Sequence, residues 1–219
     1  METKETALKG GMVKYVIFLL CYILFNFILI RFVHNSYYQL AEYTVLGIAG
    51  VILSRNAIKE GCAMWKAHPV KNILIVLGGI VLNYLLDNIS VIPYALLYAE
   101  QAGNLNDNNI AAASQAVNPI LFAIVAGILG PLTEETVFRQ ILTRQASRFV
   151  PKAVAVIVSS LLFGVIHMHA ITLCEFLSIL PHISFGALMA ILYLKTKNIT
   201  LVYILHILNN LPVVLIMLL

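Results

Sequence analysis

Charge is scarce in this chain. Only 11% of its 219 residues are charged, 61% are hydrophobic, and the mean hydropathy is +0.92. Soluble domains run closer to a quarter charged and half apolar. The composition therefore excludes a soluble fold and predicts an all-α, polytopic transmembrane helical bundle. Cysteine is nearly as scarce. Cys21, Cys62 and Cys174 are scattered and odd in number, which excludes both a disulfide framework and a cysteine metal cluster. There is no internal repeat, low-complexity tract or flexible linker. Residues 1–219 are read as a single integral membrane domain.

What is present is a series of apolar runs. A transmembrane helix needs roughly 20 mostly apolar residues. The runs predict helices at about 13–33, 39–55, 71–98, 117–148, 153–168, 173–194 and 199–218. That makes seven spans, or eight if the long third run divides where Asp87, Asn88 and Pro93 interrupt it. The first run lacks a small-residue cleavage site and is read as a retained span. The C-terminal LIMLL carries no prenylation box.

The basic residues orient these spans. Lys4, Lys9 and Lys14 precede the first. Arg55, Lys59, Lys66 and Lys71 lie between the second and third. Arg139, Arg144, Arg148 and Lys152 lie at or after the end of the fourth, and Lys195 and Lys197 lie between the sixth and seventh. Only Arg31 falls on the other side, and the polar loop from Glu100 to Asn118 has no Lys or Arg. The positive-inside rule places the N-terminus in the cytoplasm of a multi-pass cell-membrane protein. The net charge of +4 is then explained by contact with an anionic leaflet, and no nucleic acid is implied.

Ionisable residues inside spans are rare and usually face a cavity or each other. Three clusters remain after the orienting residues. In GPLTEETVFRQIL, residues 130–142, Glu135 and Arg139 are four apart and can pair on one helix face. Glu134 projects about 100° away and is left without that partner. In FGVIHMH, Phe163 and His167 share a face, while His169 points nearly the other way. In HILNN, His206 and Asn210 share a face, with Asn209 beside it. Each cluster alone also fits a structural role: a buried ion network, a satisfied core histidine, an interhelical hydrogen-bond clamp.

Together they supply a spare carboxylate, two imidazoles and an amide on three spans. These are the parts needed to hold and activate a water. A carboxylate in low dielectric suits general-base work. Two neutral imidazoles can hold a divalent metal or stabilise an oxyanion. A helical rise of 1.5 Å per residue puts Glu134 and His206 roughly 14 Å from the flanking basic residues, and His167 roughly 22 Å. That depth mismatch vanishes if the fifth span starts nearer Val156 or tilts.

Glu134-Glu135-x-x-x-Arg139, Phe163-x-x-x-His167 and His206-x-x-x-Asn210 resemble, in order, the EExxxR, FxxxH and HxxxN motifs of the CPBP family (CAAX proteases and bacteriocin-processing enzymes, also called Abi). The eukaryotic relative is the Ras-converting CAAX endopeptidase. The resemblance covers a motif-bearing core at 118–215. It implies an intramembrane endopeptidase with a site open to the cytoplasm, acting on a peptide or protein with a membrane-associated segment. It implies that Glu134 activates the water with help from His167. His206 and Asn210 would bind the oxyanion. Alternatively, Glu134, His167, His206 and Asn210 would hold a divalent metal such as zinc. Glu135, Arg139 and Phe163 would support the site. The family's structurally known member has eight transmembrane helices, and Gln140 stands here where a glycine is common.

Other intramembrane protease types fit poorly. There is no HExxH for a site-2-type zinc enzyme, no GxSxG, and no serine in a nucleophile context for a rhomboid. Asp87 and Asp107 lack the paired GxGD context of a presenilin-like enzyme. Two further readings remain: a bacteriocin self-immunity or accessory protein acting by binding, and a small proton-coupled transporter. The second ranks last because no inverted repeat is visible. Substrate identity and oligomeric state are not legible in the sequence.

Overall fold

The computed structural model describes residues 2–33, 35, 37–98, 100 and 104–216; side chains of residues 2–11 and of Ile30 lie outside it, those of Lys4 and Lys9 included. Among the described residues there is no strand. We number eight helices: α1 (residues 2–31), α2 (Tyr38–Ala67), α3 (Pro69–Tyr98), α4 (Leu105–Ala116), α5 (Pro119–Arg148), α6 (Lys152–Val165), α7 (Leu173–Thr196) and α8 (Ile199–Ile216). Four of them, α3, α5, α7 and α8, are long and apolar enough to cross a membrane, and shorter apolar stretches lie in α1 and α6.

Each of the seven expected segments is mainly helical among the described residues; residues 217 and 218 of the last lie outside them, and the fifth ends at Val165, short of 168. The third breaks at Val91, between the polar Asp87–Asn88 pair and Pro93, where a bend was expected. The stretch from Glu100 to Asn118 departs from expectation, because it is not all loop. It holds α4, started by the Asn104 side chain, whose Oδ1 accepts from the Asp107 N–H at 2.8 Å. Its composition, LNDNNIAAASQA, is too polar to register as an apolar run.

Burial separates inner from outer helices. In α5, 56% of the most apolar window is buried, against 17% in α3. Leu74, Val81, Tyr84 and Leu96 of α3 point outward, as lipid-facing side chains do. α5 is the central element, packed against α2, α6 and α8. Asn118 caps its start, accepting from the N–H groups of Ile120 and Leu121, and Pro119 sits at the first helical position, where its missing N–H costs nothing.

The middle of α5 is not uniform. Val125–Leu129 and Thr136–Gln145 are wound as π-helix, and Gly130–Glu135 between them is α-helical. π segments loosen the backbone ladder and often mark functional sites. Here the Phe138 carbonyl accepts from two hydroxyls, Thr143 Oγ1 and Ser159 Oγ, both at 2.7 Å. The second bond ties α5 to α6.

Helices without a hydrophobic drive between them approach through small residues. A Cβ on Gly164 of α6 would fall 2.3 Å from Ile183 Cγ1 of α7, and one on Gly186 would fall 3.1 Å from the Ser160 Cα. The α6–α7 contact is therefore backbone-close. It brings Phe163, Phe185, Met189 and Tyr193 into one core with Phe138, Val202 and Leu205.

Candidate active site

The site forms where α5, α6, α7 and α8 meet. Glu135 and Arg139 lie one turn apart at the junction of the α and π segments of α5, both fully buried. Arg139 Nε lies 3.1 Å from Glu135 Oε2, the pairing expected from their spacing. The alignment falls short of a good hydrogen bond, and neither Nη atom has a hydrogen-bond partner. The guanidinium instead lies over the Phe163 ring, 4.6 Å from its centroid, which supplies cation–π attraction. This burial corrects one reading: Arg139 belongs to the site and not among the flanking basic residues that orient the chain.

α8 carries His206 into the same place. Its first turn is capped by Asn198 Oδ1, which accepts from the N–H groups of Thr200 and Leu201. Eight residues after Asn198 the His206 ring meets both glutamates. Nδ1 lies 2.8 Å from Glu135 Oε1, and Nε2 lies 3.7 Å from Glu134 Oε2. A carboxylate only accepts, so Nδ1 is the donor to Glu135. Edge-to-face contacts with Phe185 (4.9 Å) and Phe163 (5.9 Å) hold the ring in orientation. Glu134, at 9% exposure, stands at the margin of the cluster, whereas Glu135 at 0% is sealed within it.

His167 lies just past the end of α6. Its Nδ1 is 2.8 Å from the Phe163 carbonyl, so Nδ1 donates and Nε2 keeps a free lone pair. Its ring is 5.0 Å from that of Phe163, which in turn touches His206. α6 begins at Lys152, so a later start does not explain the depth mismatch. The loop after His167 is fixed by buried Glu175, whose oxygens accept from the N–H groups of His169 (3.1 Å) and Leu105 (3.4 Å). The His169 ring lies apart, 3.4 Å from Asn106 of α4.

Asn210 sits one turn beyond His206. Its Oδ1 accepts from Asn209 at 3.3 Å, and its side chain makes no direct bond to Glu134 or His206. Asn209 is tied elsewhere, to Asn83 of α3 at 2.9 Å, and Asn83 also donates to Asp87. Gln140 is buried and hydrogen-bonds Tyr15 and Tyr193.

Two residues escaped the sequence reading. His182 of α7 stacks on His167, with ring centroids 4.1 Å apart and planes 25° apart. Its only sequence signal was a histidine in an apolar run. Glu42 of α2 is 4% exposed, and neither carboxylate oxygen has a hydrogen-bond partner. A carboxylate near the start of an apolar run reads as a flanking charge.

Glu134, Glu135, Arg139, Phe163, His167 and His206 thus lie together, while Asn210 stands one turn away without a bond to them. Over residues 116–212 the sequence matches the Rce1-like family, described as type II CAAX prenyl endopeptidase Rce1-like. The matched segment is 97 of the 219 residues, and it supports the resemblance to CAAX proteases. No curated protein and no solved structure matches it.

The donor set was also tested as a metal site. Imidazole and carboxylate suit zinc chemically. Nδ1 of His206 is bonded to Glu135 and Nδ1 of His167 to the Phe163 carbonyl, which leaves Nε2 of each ring as the ligand atom. Among the described residues, no three His, Cys, Asp or Glu side chains are grouped so as to hold an ion. Without such a group of three, no step is routed through a metal.

Proposed function

We propose that the chain is a CAAX-type intramembrane endopeptidase that hydrolyses a peptide bond near the cytoplasmic leaflet, using a water activated by Glu134. The observation that carries this reading is the unequal placement of the two glutamates around His206. Glu135 is bonded to Nδ1 and paired with Arg139, so its oxygens are committed. Glu134, 3.7 Å from Nε2, is beyond a direct hydrogen bond and has lone pairs to spare. A water about 2.8 Å from each of those two atoms closes a triangle on that base.

Chemistry follows from that water. Glu134 takes one of its protons as the oxygen attacks the scissile carbonyl carbon. Negative charge grows on the carbonyl oxygen. His206, protonated at Nε2 and held through Nδ1 by Glu135, donates to it, and the Asn210 amide serves as the second donor after a rotamer change. The C–N bond then breaks, and Glu134 returns its proton to the leaving nitrogen. The free Nε2 of His167 helps hold the water. In the orientation expected from the basic residues, the site lies within reach of a substrate segment at the cytoplasmic side of the membrane.

The test is cleavage of a farnesylated CAAX peptide by purified protein in detergent. Glu134→Gln and His206→Ala should each abolish turnover while keeping a cooperative thermal transition. Wild-type turnover in Glu134→Gln would sink the proposal.

A further inference from the structure

A second polar cavity lies away from the site just described. It has a volume of about 120 Å³ and opens between α1, α2 and the end of α5. Lys14, Arg144 and Arg148 line it, with Glu60 as the one acidic side chain; Asn56 and the buried Gln145 complete its polar wall. The positive charge is poorly compensated. Arg144 Nη2 is 3.9 Å from Glu60 Oε2, and the Glu60 side chain is 60% exposed. Among the described residues neither Lys14 nor Arg148 makes an ion pair. Arg144 and Arg148 are four apart on one helix, where like charges repel.

Arg144 is held in place and not free to swing away. Its Nη1 donates to Tyr193 of α7 at 3.1 Å, and Tyr193 in turn bonds Gln140. The cavity therefore has one guanidinium anchored by Tyr193 and two exposed cations, Arg148 and Lys14, the latter 5.1 Å from the Tyr15 ring centroid. Beside it, α1 and α2 present exposed apolar side chains along their length: Val13, Ile17 and Leu20 on one, Val51 and Ile52 on the other. Basic recesses between transmembrane helices, at the level of the headgroups, suit anionic lipids.

We infer that this cavity binds the phosphate of an anionic phospholipid from the cytoplasmic leaflet, with Arg144, Arg148 and Lys14 as its ligands and the acyl chains lying along α1 and α2. A headgroup carrying free hydroxyls, such as phosphatidylglycerol, also finds acceptors and donors in Asn56 and Gln145.

The experiment uses the full chain in nanodiscs of phosphatidylcholine, with and without phosphatidylglycerol. Native mass spectrometry counts retained lipid, and thermal unfolding reads stabilisation. Phosphatidylglycerol should be retained and should raise the transition temperature. Lys14→Gln and Arg148→Gln should each weaken retention about fivefold, the effect of one cation near the surface. Arg55→Gln with Lys59→Gln, on the same side but outside the cavity, should change little. Three results would overturn the inference: no preference for phosphatidylglycerol, equal loss in the Arg55/Lys59 control, or the same stabilisation from soluble glycerol phosphate alone. The first leaves no anion site, the second a diffuse surface field, and the third a free-phosphate site. Both tested cations are solvent-exposed, so folding is not at stake in either variant.

Discussion

Nδ1 of His206 lies 2.8 Å from Oε1 of Glu135, although 71 residues separate them in the chain. The bond joins α8 to α5 and fixes which nitrogen of His206 remains for chemistry. It also divides the labour of the two adjacent glutamates.

That division predicts opposite outcomes for two substitutions. Glu135→Ala leaves the Arg139 guanidinium and His206 Nδ1 buried without their acceptor. Breaking one partner of a buried ion pair costs about 3–5 kcal/mol. Glu135→Ala should therefore lower the thermal transition sharply, and activity with it. Glu134→Gln removes no committed partner and should keep the wild-type transition within a degree or two while turnover is lost. Equal destabilisation by both would contradict the assignment of Glu135 as scaffold and Glu134 as reactive group.

The His182 ring, stacked on His167, offers a test of a residue that no motif names. Stacking at 4.1 Å limits rotation of the His167 ring. We expect His182→Ala to lower kcat by about tenfold with KM little changed, on the scale of small misplacements of reacting groups. His182→Phe keeps an aromatic face and should restore much of that loss. If the phenyl variant is as impaired as alanine, the ring's nitrogens matter and not its stacking.

The α6–α7 contact should tolerate no added carbon. A Cβ at Gly164 would meet Ile183 Cγ1 at 2.3 Å, well inside van der Waals contact. Gly164→Ala should cost about 1–3 kcal/mol, the usual effect of overpacking. Ile183→Ala made alone should also destabilise, by opening a cavity. The double variant should be better than the sum of the two, and strict additivity in thermal unfolding would argue against direct contact.

Much of this was legible from local sequence, for physical reasons that also explain the misses. Apolar runs mark the helices of a membrane bundle because the bilayer tolerates little else, so each of the seven segments was found. The Glu135–Arg139 pair was legible because helical spacing dictates it. The polar α4 was missed because helix recognition rested on apolarity, although Asn104 followed three residues later by Asp107 was a usable start signal. Glu134 facing His206 was not derivable from either motif, since it depends on how α5 and α8 cross. Neither was the π winding of Thr136–Gln145, which no side-chain period reports. Glu42 and His182 gain meaning only from their burial.

Metal dependence is the sharpest remaining test of the mechanism. Zinc in catalytic sites is held by three protein groups that converge on one point. Here each motif histidine donates its Nδ1–H to a fixed partner and keeps Nε2 free, and among the described residues no three His, Cys, Asp or Glu side chains are grouped so as to hold an ion. A water held by Glu134 and His206 needs no ion. Turnover by purified protein should therefore survive prolonged treatment with a strong chelator, and metal analysis of active protein should find far less than one equivalent. Loss of activity on chelation, restored by stoichiometric zinc, would mean that His167 and His206 rearrange around an ion and that Glu134 serves as its ligand or its base.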